Sequence, residues 1–305
     1  MSLGRRTFLT GVSSLAIVFW MGTFGVGTFG VGCALAEEPA GSLNKSGLSE
    51  PVYRVTTVST VARDQPHSLD AGLELARQAL QHSRLNYQDY TATLVKRERV
   101  DGALAEPESM FVKIRNRRME DGQLKVPMSV YISFLTPSSC KGREVIWVEN
   151  RNNGYITAHE GGVKGRFLPT VSLSPSGILA MRGQRYPMTE IGLENLIVKL
   201  IERGETARQY ADVKAEFRSN ARIKDRACTV LQVTQPQRHP DLDFYLAHIF
   251  IDDALQIPVR YVAYDWPATA ESKPEVIEEY TYLDVKMNVG LTDLDFDPTN
   301  PAYNF

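Results

Sequence analysis

The sequence lacks the common signatures of catalysis. Its five histidines (His67, His82, His159, His239, His248) are scattered, and no His-Glu-x-x-His or other ligand spacing joins them. There is no Gly-x-Ser-x-Gly nucleophile turn and no phosphate-cradling glycine loop. Cysteine is scarce: Cys33, Cys140 and Cys228 form no Cys-x-x-Cys pair and no metal-ligand spacing. Charge of one sign is also lacking. The 305 residues sum to −2, and Arg5 and Arg6 are the only charges before Glu37, which leaves 32 basic against 36 acidic side chains beyond that point. So mild a balance gives no electrostatic footprint for nucleic acid. The expectation is a protein that is not an enzyme and carries no metal or cofactor.

The N-terminus is informative. Arg5 and Arg6 precede an apolar run from Phe8 to about Val31, and Ala34-Leu35-Ala36 supplies a small-x-small cleavage pattern. Residues 1–36 are therefore expected to be a signal peptide and the protein to work in the periplasm or cell envelope. Gly4-Arg5-Arg6-Thr7-Phe8-Leu9 resembles a twin-arginine signal, with Thr10 where that pattern has Lys. Two alternatives stay open: retention of the apolar run as an anchor, and lipidation at Cys33. Residues 37–67, rich in Ser, Pro, Thr and Gly without periodicity, read as a flexible tether. Export would permit a Cys140–Cys228 disulfide; buried free thiols are the simpler reading, because Cys228 lies in a strand-like run.

From residue 68 on, the periodicity alternates between helix and strand. Ser68 caps a helix whose apolar face is Leu69, Leu73, Ala76 and Leu80. Five strands then follow between Tyr90 and His159, punctuated by Asp101-Gly102, Asp121-Gly122, Lys141-Gly142 and Asn152-Asn153-Gly154. Ser174-Pro175 opens a short helix, and Thr189-Glu190 opens a longer one that Gly204 ends. Five more strands run from Val213 to Val285. The order predicts an α+β domain over 68–305: a strongly curved antiparallel half-barrel of about ten strands, with a leading helix and a helical insert covering its concave face.

Several residues bring a family to mind. Ser174-Pro175-Ser176-Gly177, Ala180-Met181 and Arg185-Tyr186-Pro187-Met188-Thr189-Glu190-Ile191-Gly192-Leu193 are similar to the core signature of an exported bacterial family catalogued as domain of unknown function 1571. Pro137 to Val148 and Asn288 to Phe296 fit it too. More distantly, the order of elements resembles the lipoprotein carriers LolA and LolB and the sensor domain of RseB. That resemblance implies a half-barrel closing over an apolar cavity, with helices as a lid.

Both resemblances support fold before function. Apolar residues fall on both faces of the strands around Tyr131 and Trp147, and of the run from Phe244 to Ile251. These strands should therefore be covered twice. Either the interior is solid, or a cavity lies between sheet and insert. The cavity reading gives a lipid or lipoprotein acyl chain as ligand, lined by Met181, Met188, Leu193, Leu196 and Ile197 from the insert and Tyr131 and Trp147 from the sheet. The solid reading gives a sensor or scaffold whose partner is another envelope protein. Arg115, Arg117 and Arg118 are either an anion site or a solvated strand end. Asp293, Asp295 and Asp297 lack the glycine and acid of a calcium loop, with Pro298 and Asn304 in those places. They read as aspartates facing water while Leu294 and Phe296 point inward.

Overall fold

The helical spacing that begins at Leu69 is realised as α1, Asp70–Asn86. In this computed structural model the described residues are 66–165 and 167–305. The expected signal segment and almost all of the expected tether lie outside them. Ser68 does not cap α1. Its hydroxyl donates to the Val213 carbonyl (3.1 Å) and accepts from the Ala215 N–H (3.1 Å), tying the helix entry to an edge strand.

Strands follow as β1 (Asp89–Val100), β2 (Ala103–Leu104), β3 (Glu108–Arg115), β4 (Arg118–Glu120), β5 (Gln123–Val126), β6 (Ser129–Thr136), β7 (Glu144–Val148) and β8 (Ile156–His159). Asp101-Gly102 and Asp121-Gly122 both adopt positive φ, as two-residue hairpin turns require. The expected third strand is split at Pro127, which has no N–H to donate to a ladder. Then come the insert, with single turns α2 (Gly162–Gly165) and α3 (Ile178–Met181) around the short β9 (Val171–Leu173), and the longer α4 (Leu193–Ala207). The chain closes with β10 (Lys214–Ile223), β11 (Arg226–Thr234), β12 (Leu246–Asp252), β13 (Ile257–Tyr264) and β14 (Val276–Met287).

Twelve strands make one open, curved antiparallel sheet, in the order β10-β11-β12-β13-β14-β1-β3-β6-β7-β8-β9 with β2 hairpinned onto β1. The two meanders join at the middle, where β1 lies against β14 and Glu98 faces Glu278. β4 and β5 form a separate two-stranded ribbon.

Gly204 does not end α4, which continues to Ala207. It is instead a notch: a Cβ there would lie 2.8 Å from Leu73 Cδ2 of α1. Gly72 makes the matching concession to Leu231, also at 2.8 Å. With these glycines α1 and α4 pack together, and Leu69, Leu73, Ala207, Leu231, Ile249 and Tyr261 share one core cluster. At the other end of α4, Gly192 (φ 119°) turns the chain into the helix in a conformation open to glycine. Two buried tyrosines take the place of a side-chain cap. Tyr282 Oη accepts from the Gly192 N–H (3.1 Å) and Tyr90 Oη from the Leu193 N–H (2.9 Å).

The double cover expected of β6 and β7 exists, but two different segments supply it. Val130, Ile132, Val145 and Trp147 face the inner core that α4 joins. Tyr131, Ile146 and Val148 face outward and are covered by the C-terminal segment, through Leu291, Phe296, Tyr303 and Phe305. Tyr303 stacks on Tyr131 at 4.1 Å, and Lys113 Nζ donates to Asp295 at 2.7 Å. The expected inward pair Leu294 and Phe296 is only half realised. Phe296 is buried and Leu294 is 53% exposed, because Asp293–Phe296 is a 3₁₀ turn with three residues per turn rather than a strand.

Candidate functional site

The insert between β8 and α4 does not fill the space beneath it. It roofs a cavity of about 1020 Å³ over β1, β3, β6, β7 and β8. Strand alternation sets the floor: Leu94, Met110, Ile132, Phe134, Val145 and Ile156 all point inward from successive strands. Met188, Ile191 and Leu196 complete the apolar wall from the roof side.

One wall of the cavity is polar. Glu98 of β1 and Glu278 of β14 are 3% and 1% exposed and are direct register partners. Three cations surround them. Arg185 Nε donates to Glu278 Oε2 (3.0 Å), while its own backbone N–H donates to Glu98 Oε2 (3.0 Å). Arg203 of α4 donates to Glu278 Oε1 (3.1 Å), to the Tyr261 hydroxyl (3.0 Å) and to the Tyr186 hydroxyl (2.6 Å). Lys96 sits 3.5 Å from Glu98 and 3.2 Å from Glu108, and donates to Gln184. The Tyr280 hydroxyl donates to Glu98.

This arrangement fixes the charge states. Burial is the largest influence on Tyr280 and raises its pKa, with the Glu278 and Glu98 charges adding to the rise. Burial and Glu278 raise Tyr261 and Tyr186 in the same way. Burial is the largest influence on Arg203 and opposes its charge, yet the oxygens of Tyr261, Glu278, Asp243 and Tyr186 together more than offset it and its pKa is raised. The cluster therefore pairs protonated phenols, Tyr280 donating to Glu98 and Tyr261 and Tyr186 accepting from Arg203, with permanent cations. Gln184, Arg185 and Tyr186 belong to the root of the insert, so these bonds clamp the roof to the centre of the sheet.

The residues expected to line a ligand site scatter. Met188 and Leu196 are on the cavity wall. Leu193 and Ile197 are on the same helix but sit in the core, 1% and 0% exposed. Met181 is half-buried in α3 and Trp147 is buried with its Nε1 donating to Gly154 O (3.3 Å); neither is a lining residue. Tyr131 is on the outer face of the sheet, where its hydroxyl donates to Glu144 (2.7 Å). Sequence pattern does not show the polar wall, although Arg185 and Tyr186 lie in the family signature.

Other expected features resolve simply. Arg115, Arg117 and Arg118 are paired with Asp293, Glu149 and Glu120. His159 lines the cavity mouth and its Nδ1 is 3.1 Å from Thr170 Oγ1. Cys140 and Cys228 are free and buried, and burial pushes the Cys228 thiol up to about 12. Among the described residues, no group of three His, Cys, Asp or Glu side chains converges as a metal site.

A family model described as a protein of unknown function, DUF1571, matches residues 87–305. No curated protein matches. Among solved structures, a DUF1329 family protein from Desulfovibrio piger is 14% identical, covering 76% of this chain and 98% of that one, at a TM-score of 0.36. The Pseudomonas aeruginosa MucA/MucB complex contains a chain 14% identical, covering 74% and 60%, at 0.40. A LolA superfamily protein from Nitrosomonas europaea is 13% identical, covering 73% and 97%, at 0.29.

Proposed function

We propose that this chain, which belongs to the DUF1571 family, is a non-enzymatic cell-envelope protein that holds a lipid or lipoprotein acyl chain between its curved sheet and the insert. In this reading residues 1–36 direct export and residues 37–67 tether the domain. The observation that carries the proposal is the cavity of about 1020 Å³, apolar over most of its wall and polar along one side. A pocket of that size and lining suits a ligand that is itself amphiphilic. Each methylene withdrawn from water into it contributes about 0.8 kcal/mol. Ten such groups supply ~8 kcal/mol, which corresponds to micromolar affinity before the cost of ordering the chain.

Within that reading the polar wall has a defined task. Its charges are already paired with one another, so it offers hydroxyl and guanidinium edges to a headgroup without stranding a buried ion. The rival reading, a sensor or scaffold that binds another envelope protein through a solid domain, draws support from the part of the sheet that is packed solid by α1 and α4.

The test is direct. Protein purified from its native envelope is extracted with organic solvent, and the extract is analysed by mass spectrometry. A near-stoichiometric amphiphile is expected. Stable protein that yields an empty extract would overturn the proposal and turn attention to protein partners.

A further inference from the structure

Of the twelve large apolar side chains exposed among the described residues, six lie between Val163 and Leu179. Val163 is 76% exposed, Phe167 82%, Ile178 91% and Leu179 71%. These are not scattered surface residues of the ordinary kind. They project from one arm of the insert, where the only regular pieces are α2, β9 and α3. The arm is continuous with the cavity, since Leu168, Val171 and Leu179 line it and are exposed at the same time.

The charge flanking the arm is net positive. Lys141 and Arg182 are both exposed and neither has a carboxylate partner among the described residues. Lys141 abuts the start of the arm: a Cβ on Gly161 would lie 2.3 Å from the Lys141 carbonyl oxygen. Arg182 directly follows α3 and lines the cavity mouth. From 160 to 182 the sequence holds Lys164, Arg166 and Arg182 against one acid, Glu160, which Arg143 neutralises at 2.9 Å. Most of the remaining chain is acidic on balance, so this is a local reversal.

We propose that the arm from Val163 to Leu179, flanked by Lys141 and Arg182, docks on the surface of an anionic lipid bilayer. Exposed aliphatic and aromatic side chains bordered by unpaired cations match the interfacial zone of such a membrane, with the apolar groups below the headgroups and the cations among them. A second copy of this chain is a poor occupant, because a two-fold contact would press the same cation-rimmed patch, with Lys141 and Arg182, against itself. The purpose of docking rests on the carrier reading: a chain leaving the cavity past Leu168 and Leu179 enters the bilayer without crossing water.

The experiment uses the full chain carrying Phe167→Trp, mixed with brominated phosphatidylglycerol–phosphatidylethanolamine vesicles and, separately, brominated phosphatidylcholine vesicles. The chain also carries Trp20, Trp147 and Trp266, so the parent without the substitution is measured in the same vesicles and its quenching subtracted, and what remains reports position 167 rather than capture by the N-terminal apolar stretch. Quenching by the anionic vesicles is expected, and weaker quenching by the zwitterionic ones. Combining Lys141→Glu with Arg182→Glu, or Ile178→Ser with Leu179→Ser, should raise the lipid needed for half-quenching by about tenfold or more. All four side chains are exposed, so the thermal unfolding of these variants should match that of the parent. Absence of quenching, or half-quenching unmoved by both pairs, would overturn the docking. A dimer in solution that Ile178→Ser dissociates would also overturn it, in favour of a second copy. Extraction of bound amphiphile from the same samples separates the two proposals. Quenching with an empty cavity keeps the docking and removes the carrier, and a filled cavity without quenching does the reverse.

Discussion

The concave face of the sheet is finished in two ways. Over β11 to β13 it is filled: α1 and α4 lie on it, and only about 70 Å³ of space remains among their side chains. Over β1, β3 and β6 to β8 it is roofed but left hollow, with about 1020 Å³ beneath the insert. Leu200, Arg203 and Tyr261 border both spaces and form the partition between them. The filled half is held by interlocking apolar shapes, down to the notches at Gly72 and Gly204. The hollow half is held that way only in part, where Leu173, Ala180, Met188 and Ile191 of the insert pack against its core. Buried charge adds to this, with Glu98 and Glu278 anchoring the root of the roof through Arg185, Lys96 and Gln184. Bracing also comes from behind, where the C-terminal segment covers the outer face of β6 and β7.

The strongest way to break this contrast is Glu278→Ala. It leaves Arg185 and Arg203 with only the half-exposed Asp243, 3.6 and 3.7 Å away, as a shared carboxylate. It should cost ~3 kcal/mol in urea unfolding, the low end for a buried pair because both guanidiniums are about a quarter exposed. A loss below ~1 kcal/mol would mean that the cluster is a solvated network and not a clamp. A matched pair of substitutions comes next. Ala207→Phe adds a ring to the filled half, where Ala207 is 2% exposed, and should cost ~1–3 kcal/mol. Ala158→Phe adds the same ring to the cavity wall and should cost less than ~1 kcal/mol, because the ring enters the hollow instead of packed core. Equal costs in the two variants would erase the distinction between the halves.

The smallest effect is one of pH. The Arg115 bond holds the Asp293 carboxyl below its ordinary value of 3.8. Burial is the largest single influence on Asp295 and raises it, but the bonds from Lys113 and Thr292 together with the Lys113 charge outweigh it, so the net shift is also downward. A carboxylate depressed in the folded state contributes stability that is complete above 3.8 and fades as pH falls through its lower folded value. Amide exchange measured at about pH 3 should therefore rise in residues 291–305 and in β6 and β7 before it rises in β11 to β13. Simultaneous loosening of both halves would show that the C-terminal brace does not serve the hollow one.

The contrast was only partly visible in the sequence. Strand after strand could be read from alternation and from turn pairs such as Asp101-Gly102, because those signals are local. The lining of the cavity depended on which face each strand turns inward, and that is fixed by register across the sheet. Tyr131 and Trp147 looked alike as apolar strand residues, yet neighbouring positions on adjacent strands sent them to opposite faces. Glu98 and Glu278 drew no notice because each, alone in its strand, reads as the solvent side of an alternating pattern. Only the pairing of β1 with β14 makes them neighbours. Gly204 reads as a stop signal, since sequence shows a glycine near a helix end but not the leucine of α1 pressing on it. The cover on the outer face escaped for a related reason, as the segment from Leu291 to Phe305 has no period to detect.

That same pairing of β1 with β14 sets a schedule for the molecule. The first long strand to leave the ribosome sits at the centre of the sheet beside the last, so through nearly the whole of synthesis it has one neighbour and an empty flank. Each meander can form locally, but neither can be joined until Val276–Met287 has emerged. Folding of this kind, dominated by a contact between distant parts of the chain, is slow and late. The exposed flank of β1 in that interval is an open strand edge of the sort that invites wrong partners. A chaperone acting on the nascent protein would have its longest engagement there.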